Sequence, residues 1–238
     1  VSINLPEDDA DFREVSDITL PTAFINGFNT LLSQYGISYQ AELTVDISDG
    51  TNTDTYVEDN VINYLYDEDN GLSATQEIAQ TLNGALIGQI SDTYAGGEGT
   101  QVVDGEESSY TYDDATMLSD LQTVIAYYSD CFPYGSDYQL EQDGSFQKLT
   151  MNLDSEYVEA VVRGYLNTFD DSIDIDEASK VSSEGTISFW FTLNGMLVMQ
   201  QFDGSCTLSY TGADLTVTVN DQGVVLSANG SVTVGAGA

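Results

Sequence analysis

The chain has no histidine and only four basic residues, Arg13, Lys148, Arg163 and Lys180, against forty acidic residues. Without histidine there is no Ser-His-Asp or Cys-His catalytic arrangement and no histidine metal site. Four scattered basic residues cannot form the basic surface that binds nucleic-acid phosphates, and the formal charge of -36 opposes contact with anionic membranes. The sequence therefore excludes most hydrolase mechanisms, nucleic-acid partners and binding to an anionic bilayer.

Long apolar runs and linkers are also missing. No stretch approaches the roughly eighteen apolar residues of a membrane-spanning helix, so we expect no transmembrane segment. No Pro-rich or Gly/Ser-rich linker divides the 238 residues, which favours a single domain. We expect this domain to carry an N-terminal extension over residues 1–17 and a long insertion loop at about 94–110. The chain begins at Val1 and not at a methionine, and we expect a processed, exported protein.

Cysteine is scarce, and the two that occur, Cys131 and Cys206, leave the redox state open. In an exported protein a disulfide between them would stabilise the fold by about 2 to 4 kcal/mol. Two buried free thiols are the alternative, because free cysteine packs as a small apolar residue.

The apolar residues that are present follow helical and strand periods. They make up 41% of the chain, so the acidic composition does not indicate disorder. Helical spacing predicts three amphipathic helices, which cover Pro21 to Tyr35, Asp113 to Tyr128 and Asp154 to Leu166. A fourth segment, Ser73 to Ile90, resembles a capped helix, although its glycines also allow a strand.

Alternating apolar residues predict the strands. One hairpin is expected over residues 38–66 and a second over 138–153, and after Lys180 the pattern predicts a meander of five or six strands. Two of the expected meander turns are Asp203-Gly204 and Asp221-Gln222. The sequence therefore predicts an α+β fold, a curved antiparallel sheet (half-barrel or meander) with several amphipathic helices packed on one face.

This order of elements resembles the LolA/LppX-like fold of exported bacterial lipoproteins. The segments that carry the resemblance are AELTVDIS at 41–48, VINYLY at 61–66, DSEY at 154–157 and GTISFWFTLNG at 185–195. The resemblance implies a half-barrel sheet with helices on its concave side. It also implies binding of an apolar small ligand, or a surface role, and not catalysis.

Clustered carboxylates are the candidate metal ligands. Calcium takes six to eight oxygen ligands, which neighbouring Asp side chains can supply without nitrogen or sulfur. The candidate ligands are Asp67, Asp69, Asp170, Asp171, Asp174 and Asp176. None of their clusters has the spacing of an EF-hand loop, and an acidic face exposed to solvent is the alternative.

Two non-enzymatic functions remain open for an exported, extracellular or cell-surface protein. The first is a binding module that encloses an apolar ligand. The second is a structural subunit whose acidic faces are bridged by cations to copies of itself or to other surface proteins. In that case Ile3 and Leu5 are candidates for strand exchange, adding a strand to a neighbour's sheet edge.

An enzymatic or sugar-binding function is the alternative. Asp and Glu supply both acid and base in glycoside hydrolysis, so a carboxylate-dependent glycoside hydrolase needs no histidine. The fifteen tyrosines could also form a carbohydrate-binding platform. The charge would in addition suit a saline habitat, where salt screens the repulsion between carboxylates.

Overall fold

The computed structural model describes residues 19–169, 177–228 and 232–233. The described helices are α1 (Thr19–Leu32), α2 (Asp114–Ile125) and α3 (Ser155–Phe169), with a short 3-10 helix at Phe132–Tyr134. The described strands are β1 (Gly36–Ser48), β2 (Thr53–Asp67), β3 (Gly71–Leu82), β4 (Ala85–Ala95), β5 (Glu98–Val103), β6 (Glu106–Thr111), β7 (Gly135–Asp143), β8 (Phe146–Leu153), β9 (Ser179–Thr192), β10 (Leu197–Tyr210), β11 (Ala213–Ala228) and β12 (Val232–Thr233). Within these ranges no helix is both long and apolar enough to span a bilayer.

All twelve strands belong to one antiparallel sheet. Eleven follow in the order β6-β5-β4-β3-β2-β1-β11-β10-β9-β8-β7, and β12 pairs with β11. The sheet is thus two meanders, β1 to β6 and β7 to β11, joined where β1 pairs with β11, for example Val45 opposite Val219. The helices pack on one face, called here the inner face. The predicted α+β class, with an antiparallel sheet and helices on one face, is confirmed.

Helix α1 covers the inner face through aromatic packing. Phe24, Phe28 and Leu31 recur at helical spacing and are buried. The Phe24 ring meets Phe189 of β9 edge to face, with ring centroids 4.8 Å apart. Gly27 faces the ring of Phe191, which leaves no room for a side chain there. The small residue lets the helix approach the sheet closely.

Helix α3 lies over β9, β10 and β11. Its buried face consists of Val158, Val161, Val162 and Leu166. Under this helix Gly185 and Gly204 stand opposite each other on β9 and β10. A Cβ on Gly185 would lie 2.9 Å from Val158, so the glycines allow close helix–sheet contact. Strands β1 and β8 to β11, with α1 and α3 over them, are called the covered half.

The strands β3 to β6 form a second region, called the wing. Leu86 and Ile87 of β4 are exposed, and no side chain of β6 is buried. Among the described helices α2 makes the main contact with the wing, over β3. The outermost strand, β6, carries Glu106 and Glu107, which oppose pairing with another strand at this edge.

The structure corrects two predictions in the wing. Ser73 to Ile90 is a hairpin of β3 and β4 and not a helix, with a turn at Asn83 and Gly84, whose φ angles are 50° and 79°. The segment predicted as an insertion loop at about 94–110 is also strand, since β4, β5 and β6 follow one another across it. Tight turns at Gly96-Gly97 and Asp104-Gly105, all with positive φ, make these short strands possible.

The C-terminal meander has fewer and longer strands than predicted. Asp203 and Gly204 lie in the middle of β10, paired with Thr186 and Gly185 of β9. Asp221 likewise lies within β11, so neither expected turn is formed. The predicted N-terminal extension, with its strand-exchange residues, lies outside the described residues.

Candidate binding groove

Two aspartates stand at the N-terminus of α2, where Asp113 caps the helix and Asp114 joins it to the wing. Asp113 caps the helix by accepting a hydrogen bond from the backbone N–H of Thr116 at 2.9 Å. Asp114 accepts one from the hydroxyl of Tyr94 on β4 at 2.6 Å and one from the backbone N–H of Leu72 on β3 at 2.9 Å. The Tyr94 hydroxyl and then the Leu72 N–H hold the pKa of Asp114 below its usual value. These bonds set the helix over β3 and β4.

A groove of about 300 Å3 separates α2 from the inner face of the wing. The wing supplies Gln76, Asp92, Gln101 and Tyr110, which come from β3, β4, β5 and β6, with Tyr112 after β6. The helix supplies Met117, Asp120, Leu121 and Val124. The groove therefore has one mainly apolar wall, one mixed wall, and a carboxylate on each.

Asp92 lies at the centre of the wing wall. It accepts hydrogen bonds from the Tyr110 hydroxyl at 2.5 Å and from the Gln101 side-chain amide at 3.3 Å. Tyr110 reaches it by crossing β5 over Gly99, its cross-strand partner, where a Cβ would clash with the ring. Burial, and then Asp92, raise the pKa of Tyr110, so the phenol remains a donor. Both donors are neutral, so the negative charge of Asp92 is not cancelled by them.

Beyond the groove the inner face of the wing becomes apolar. Strand register places Ile78, Ile90 and Val103 side by side on β3, β4 and β5, one row further from α2 than Asp92. Ile78 and Ile90 are half-buried and Val103 is 38% exposed. We call Ile78, Ile90 and Val103 the apolar row. Polar and apolar rows therefore alternate on a surface that no described helix covers beyond α2.

A second polar cluster lies in the covered half. The Asp221 carboxylate on β11 accepts hydrogen bonds from Tyr165 of α3 at 2.7 Å and from Tyr128, after α2, at 2.8 Å. Burial raises the pKa of Asp221, and the two tyrosine hydroxyls oppose that shift. Nearby, Gln200 donates to the Tyr39 hydroxyl at 2.9 Å. Asp221 lines none of the grooves described here, so this cluster ties the helices to the sheet.

A larger groove, of about 650 Å3, crosses the opposite, outer face of β1, β11, β10, β9 and β8. It carries three carboxylates, Asp46, Glu184 and Asp203. Asp46 accepts from Thr55 at 2.5 Å, and Asp203 accepts from Gln201 at 3.0 Å. None of the described residues lining it is aromatic, so it lacks the ring surface on which sugars stack.

The predicted calcium ligands fall in two places. Asp67 is the last residue of β2, and it accepts from the backbone N–H groups of Asp69 and Asn70 in the β2–β3 turn, both at 2.9 Å. These bonds lower the pKa of Asp67. The other predicted ligands, Asp170, Asp171, Asp174 and Asp176, lie outside the described residues. Within the described ranges no group of three or more acidic or cysteine side chains is arranged around a metal position. Calcium binding by these six residues stays a prediction.

Cys131 and Cys206 are buried, free thiols. The structure therefore contains the two free thiols named above as the alternative, and not the disulfide. The two thiols lie near different residues of helix α3. Cys131 interacts electrostatically with Tyr157, and Cys206 with Glu159 and Arg163. Burial raises the pKa of both thiols, which keeps them protonated and unreactive.

The described basic side chains all have glutamate partners. Lys148 lies 3.5 Å from Glu141, while Arg163 and Lys180 each lie 2.9 Å from Glu159. None of these three lines the groove beside α2. Its carboxylates therefore face a lining without a positive charge among the described residues.

Sequence reasoning missed the groove residues Asp92, Tyr110 and Tyr112. Tyr110 falls at the end of the segment predicted as a loop, and Asp92 and Tyr112 lie between predicted elements. The available signal was the run Tyr-Thr-Tyr-Asp-Asp at 110–114, in which alternating aromatic residues lead directly into a helix cap. Such alternation is typical of a strand that presents two rings on one face.

Comparison with known proteins gives a likeness of fold only. The chain is similar to a beta-barrel-like protein of Domain of Unknown Function DUF1849 from Brucella abortus, with 8% identity and a TM-score of 0.21, over 82% of this chain and 100% of the other. It is also similar to a LolA superfamily protein from Nitrosomonas europaea, with 9% identity and a TM-score of 0.23, over 85% and 92%.

The resemblance to LolA-like proteins is thus confirmed as a weak likeness of topology. No protein-family model matches the chain. No curated protein matches it either.

Proposed function

We propose that the protein is an exported, non-enzymatic binding protein, and that its ligand has an apolar chain that lies along the inner face of the wing. The observation that carries this proposal is the groove under α2. Met117, Leu121 and Val124 form the apolar part of its helix wall, and strand register places the apolar row next to Gln76, Asp92 and Gln101 of its wing wall. A linear aliphatic chain placed there would contact apolar atoms along most of its length.

The incomplete burial of the apolar row leaves apolar surface that a small ligand can cover. Ile78 and Ile90 are only half-buried, so a bound chain would remove further apolar surface from water. Apolar burial is worth about 25 cal/mol per Å2, and about 1.4 kcal/mol changes affinity tenfold. A ligand that covers two isoleucines and one valine would therefore gain measurable affinity from these contacts alone.

The distribution of carboxylates favours binding over catalysis. Asp221 has a raised pKa, as a general acid would, but it faces tyrosines and lines no groove described here. The outer groove has carboxylates bonded to neighbouring side chains and no aromatic lining among its described residues. Neither arrangement resembles an acid and base facing a sugar.

The binding test uses N-phenyl-1-naphthylamine, an uncharged apolar dye whose fluorescence rises in apolar surroundings. Ile90→Asn places an amide in the centre of the apolar row, and we expect it to weaken dye binding about tenfold. Leu193→Asn, at a 61% exposed position after β9, is the matched control and should leave binding unchanged. Equal affinity of both variants, each shown to be folded by circular dichroism, would contradict the proposal.

The charge supports a second property, dependence on cations. The three described basic side chains pair with only two glutamates, so the -36 charge must be screened mainly by ions from solution. We expect the melting temperature to rise from low salt to molar NaCl, where the Debye length is about 3 Å. A further rise with millimolar CaCl2, beyond that of NaCl at equal ionic strength, would support specific calcium sites.

The same three solutions test the role as an assembly subunit. Light scattering after size-exclusion chromatography should give a monomer in low salt, in molar NaCl and with calcium. Growth into multimers with either salt would favour cation-bridged copies and count against a monomeric binding protein.

A further inference from the structure

We propose that the groove between α2 and the wing binds an organic ammonium group, which lies against Tyr110 and Tyr112 and between the carboxylates of Asp92 and Asp120. This inference rests on the groove of the proposed function and assigns the head group of its ligand. The ligand would then be an amphiphile or small molecule with an alkylated, positively charged nitrogen.

The first argument is charge. Asp92 on the wing and Asp120 on α2 lie on opposite walls of one groove of about 300 Å3. The hydrogen-bond donors to Asp92 among the described residues, Tyr110 and Gln101, are neutral, and no basic side chain is among the described lining. A cation between the walls would be attracted by both carboxylates, whereas an anionic head group would meet two negative charges.

The second argument is the aromatic surface. The rings of Tyr110 and Tyr112 are nearly perpendicular, at 87°, with centroids 6.1 Å apart. Tyr112 is 43% exposed, so its ring is accessible to a ligand. A cation over a tyrosine face is attracted by the negative electrostatic potential of the ring, and alkylated ammonium groups are recognised by such rings. Met117 adds a polarisable sulfur to the same lining.

The third argument separates ammonium from a metal ion. Calcium requires six to eight oxygen ligands, but the groove offers only two carboxylates, on opposite walls, and two side-chain amides, and the rest of its described lining is rings and aliphatic side chains. No described cluster of three or more acidic or cysteine side chains is arranged around a metal position. Methyl groups on a ligand nitrogen would pack against the apolar part of the lining, and the positive charge of that nitrogen would be attracted by the two carboxylates.

The test compares choline with 3,3-dimethylbutan-1-ol, which has the same shape without the charge. Both are titrated into the full chain at 150 mM NaCl, which screens the general attraction of a chain with a charge of -36, and binding is followed by heteronuclear NMR. We expect choline to shift the amide signals around the groove in a saturable way, and the alcohol to bind at least tenfold more weakly. Equal binding of the two, or choline shifts spread over the whole surface, would overturn the inference.

Variants separate the site from the overall charge. Asp92→Asn should weaken choline binding at least tenfold. Asp214→Asn makes the same charge change at an exposed position of β11, in the covered half, and should change choline affinity less than twofold. If Asp92→Asn does not fold, Asp120→Asn, at an exposed helix position, takes its place. Equal effects of the groove variant and the control would show that only general charge attracts choline.

The rings have their own control. Tyr112→Leu should weaken choline binding about threefold or more, and Tyr112→Phe, which keeps the ring, should restore it. Failure of phenylalanine to restore binding would exclude the ring contact. The uncharged dye distinguishes the two proposals: choline binding without dye binding retains the ammonium site and removes the apolar chain, and dye binding without choline binding does the reverse.

Discussion

The covered half and the wing belong to one hydrogen-bonded sheet but differ in what their side chains do. Along β10, Gln200, Phe202, Gly204, Cys206 and Leu208 alternate into the core and are buried. Along β6 no side chain is buried, although the strand is fully paired with β5. A strand of this molecule can thus be fully hydrogen-bonded to its neighbour without burying a side chain in the core. The covered half buries side chains along β10, while the outermost strand of the wing buries none.

In the wing core packing is limited to a few residues, among them Leu72, Ala74 and Tyr94, and polar contacts connect β3 to β2. Gln80 of β3 donates to Glu58 of β2 at 2.7 Å, and Gln76 donates to Asn60 at 3.1 Å. Such contacts contribute little stability individually, since water competes for the same groups. We therefore expect mutations in the two regions to have very different effects.

The largest difference should come from aromatic core residues. Phe189→Ala in β9 removes a ring that packs against Phe24 and Phe28, and we expect a loss of about 3 to 5 kcal/mol in the free energy of unfolding. Leu86→Ala in β4, at 63% exposure, should change it by less than about 0.5 kcal/mol. Urea unfolding measures both. Similar losses would mean that the wing contributes to the core as much as the covered half does.

A smaller effect is expected where α2 joins the wing. Tyr94→Phe removes the hydrogen bond to Asp114, and we expect the melting temperature to fall by about 2 to 4 °C. Tyr35→Phe, at a 61% exposed position, makes the same chemical change and should have no effect. If Tyr94→Phe melts like wild type, the hydrogen bond from Tyr94 to Asp114 does not contribute to holding the helix.

The smallest effect concerns pH and Asp221. Burial raises its pKa in the folded protein above the unfolded value, so the native state binds the proton more tightly. The stability that this proton adds is present at low pH and is lost as the pH rises through the folded pKa. Asp221→Asn removes this titration, so relative to wild type the variant should gain stability between acidic and neutral pH. A difference that does not change with pH would show that Asp221 titrates normally.

The helices were predictable because their apolar faces decide their structure. Phe24, Phe28 and Leu31 follow a helical period and are buried, as Val158 and Val162 are in α3. The segment from Ser73 to Ile90 failed for a definite reason. Residues four apart share one face of both a helix and a strand, so that pattern alone fits either structure. The Asn83-Gly84 turn, with its positive φ angles, decides for the hairpin.

The candidate groove could not be predicted from local pattern. Asp92, Gln101 and Tyr110 meet only because the register of β4, β5 and β6 aligns them. Gly99 must also stand opposite Tyr110, so that the ring can cross the intervening strand. The positions of these residues are set by strand pairing and not by burial. The periodic apolar pattern that reveals buried helices and strands is therefore weak in this region.

The pairing of β1 with β11 also determines the order of events during synthesis. The first strand of one meander must wait for the last long strand of the other, which a ribosome making about 5 to 20 residues per second produces many seconds later. The wing contains only local hairpins and can pair early, whereas the central seam closes late and slowly, as non-local strand pairing does. A nascent chain would thus expose the unpaired edge of β1 for much of translation, and its many like charges would then protect it from association with other chains.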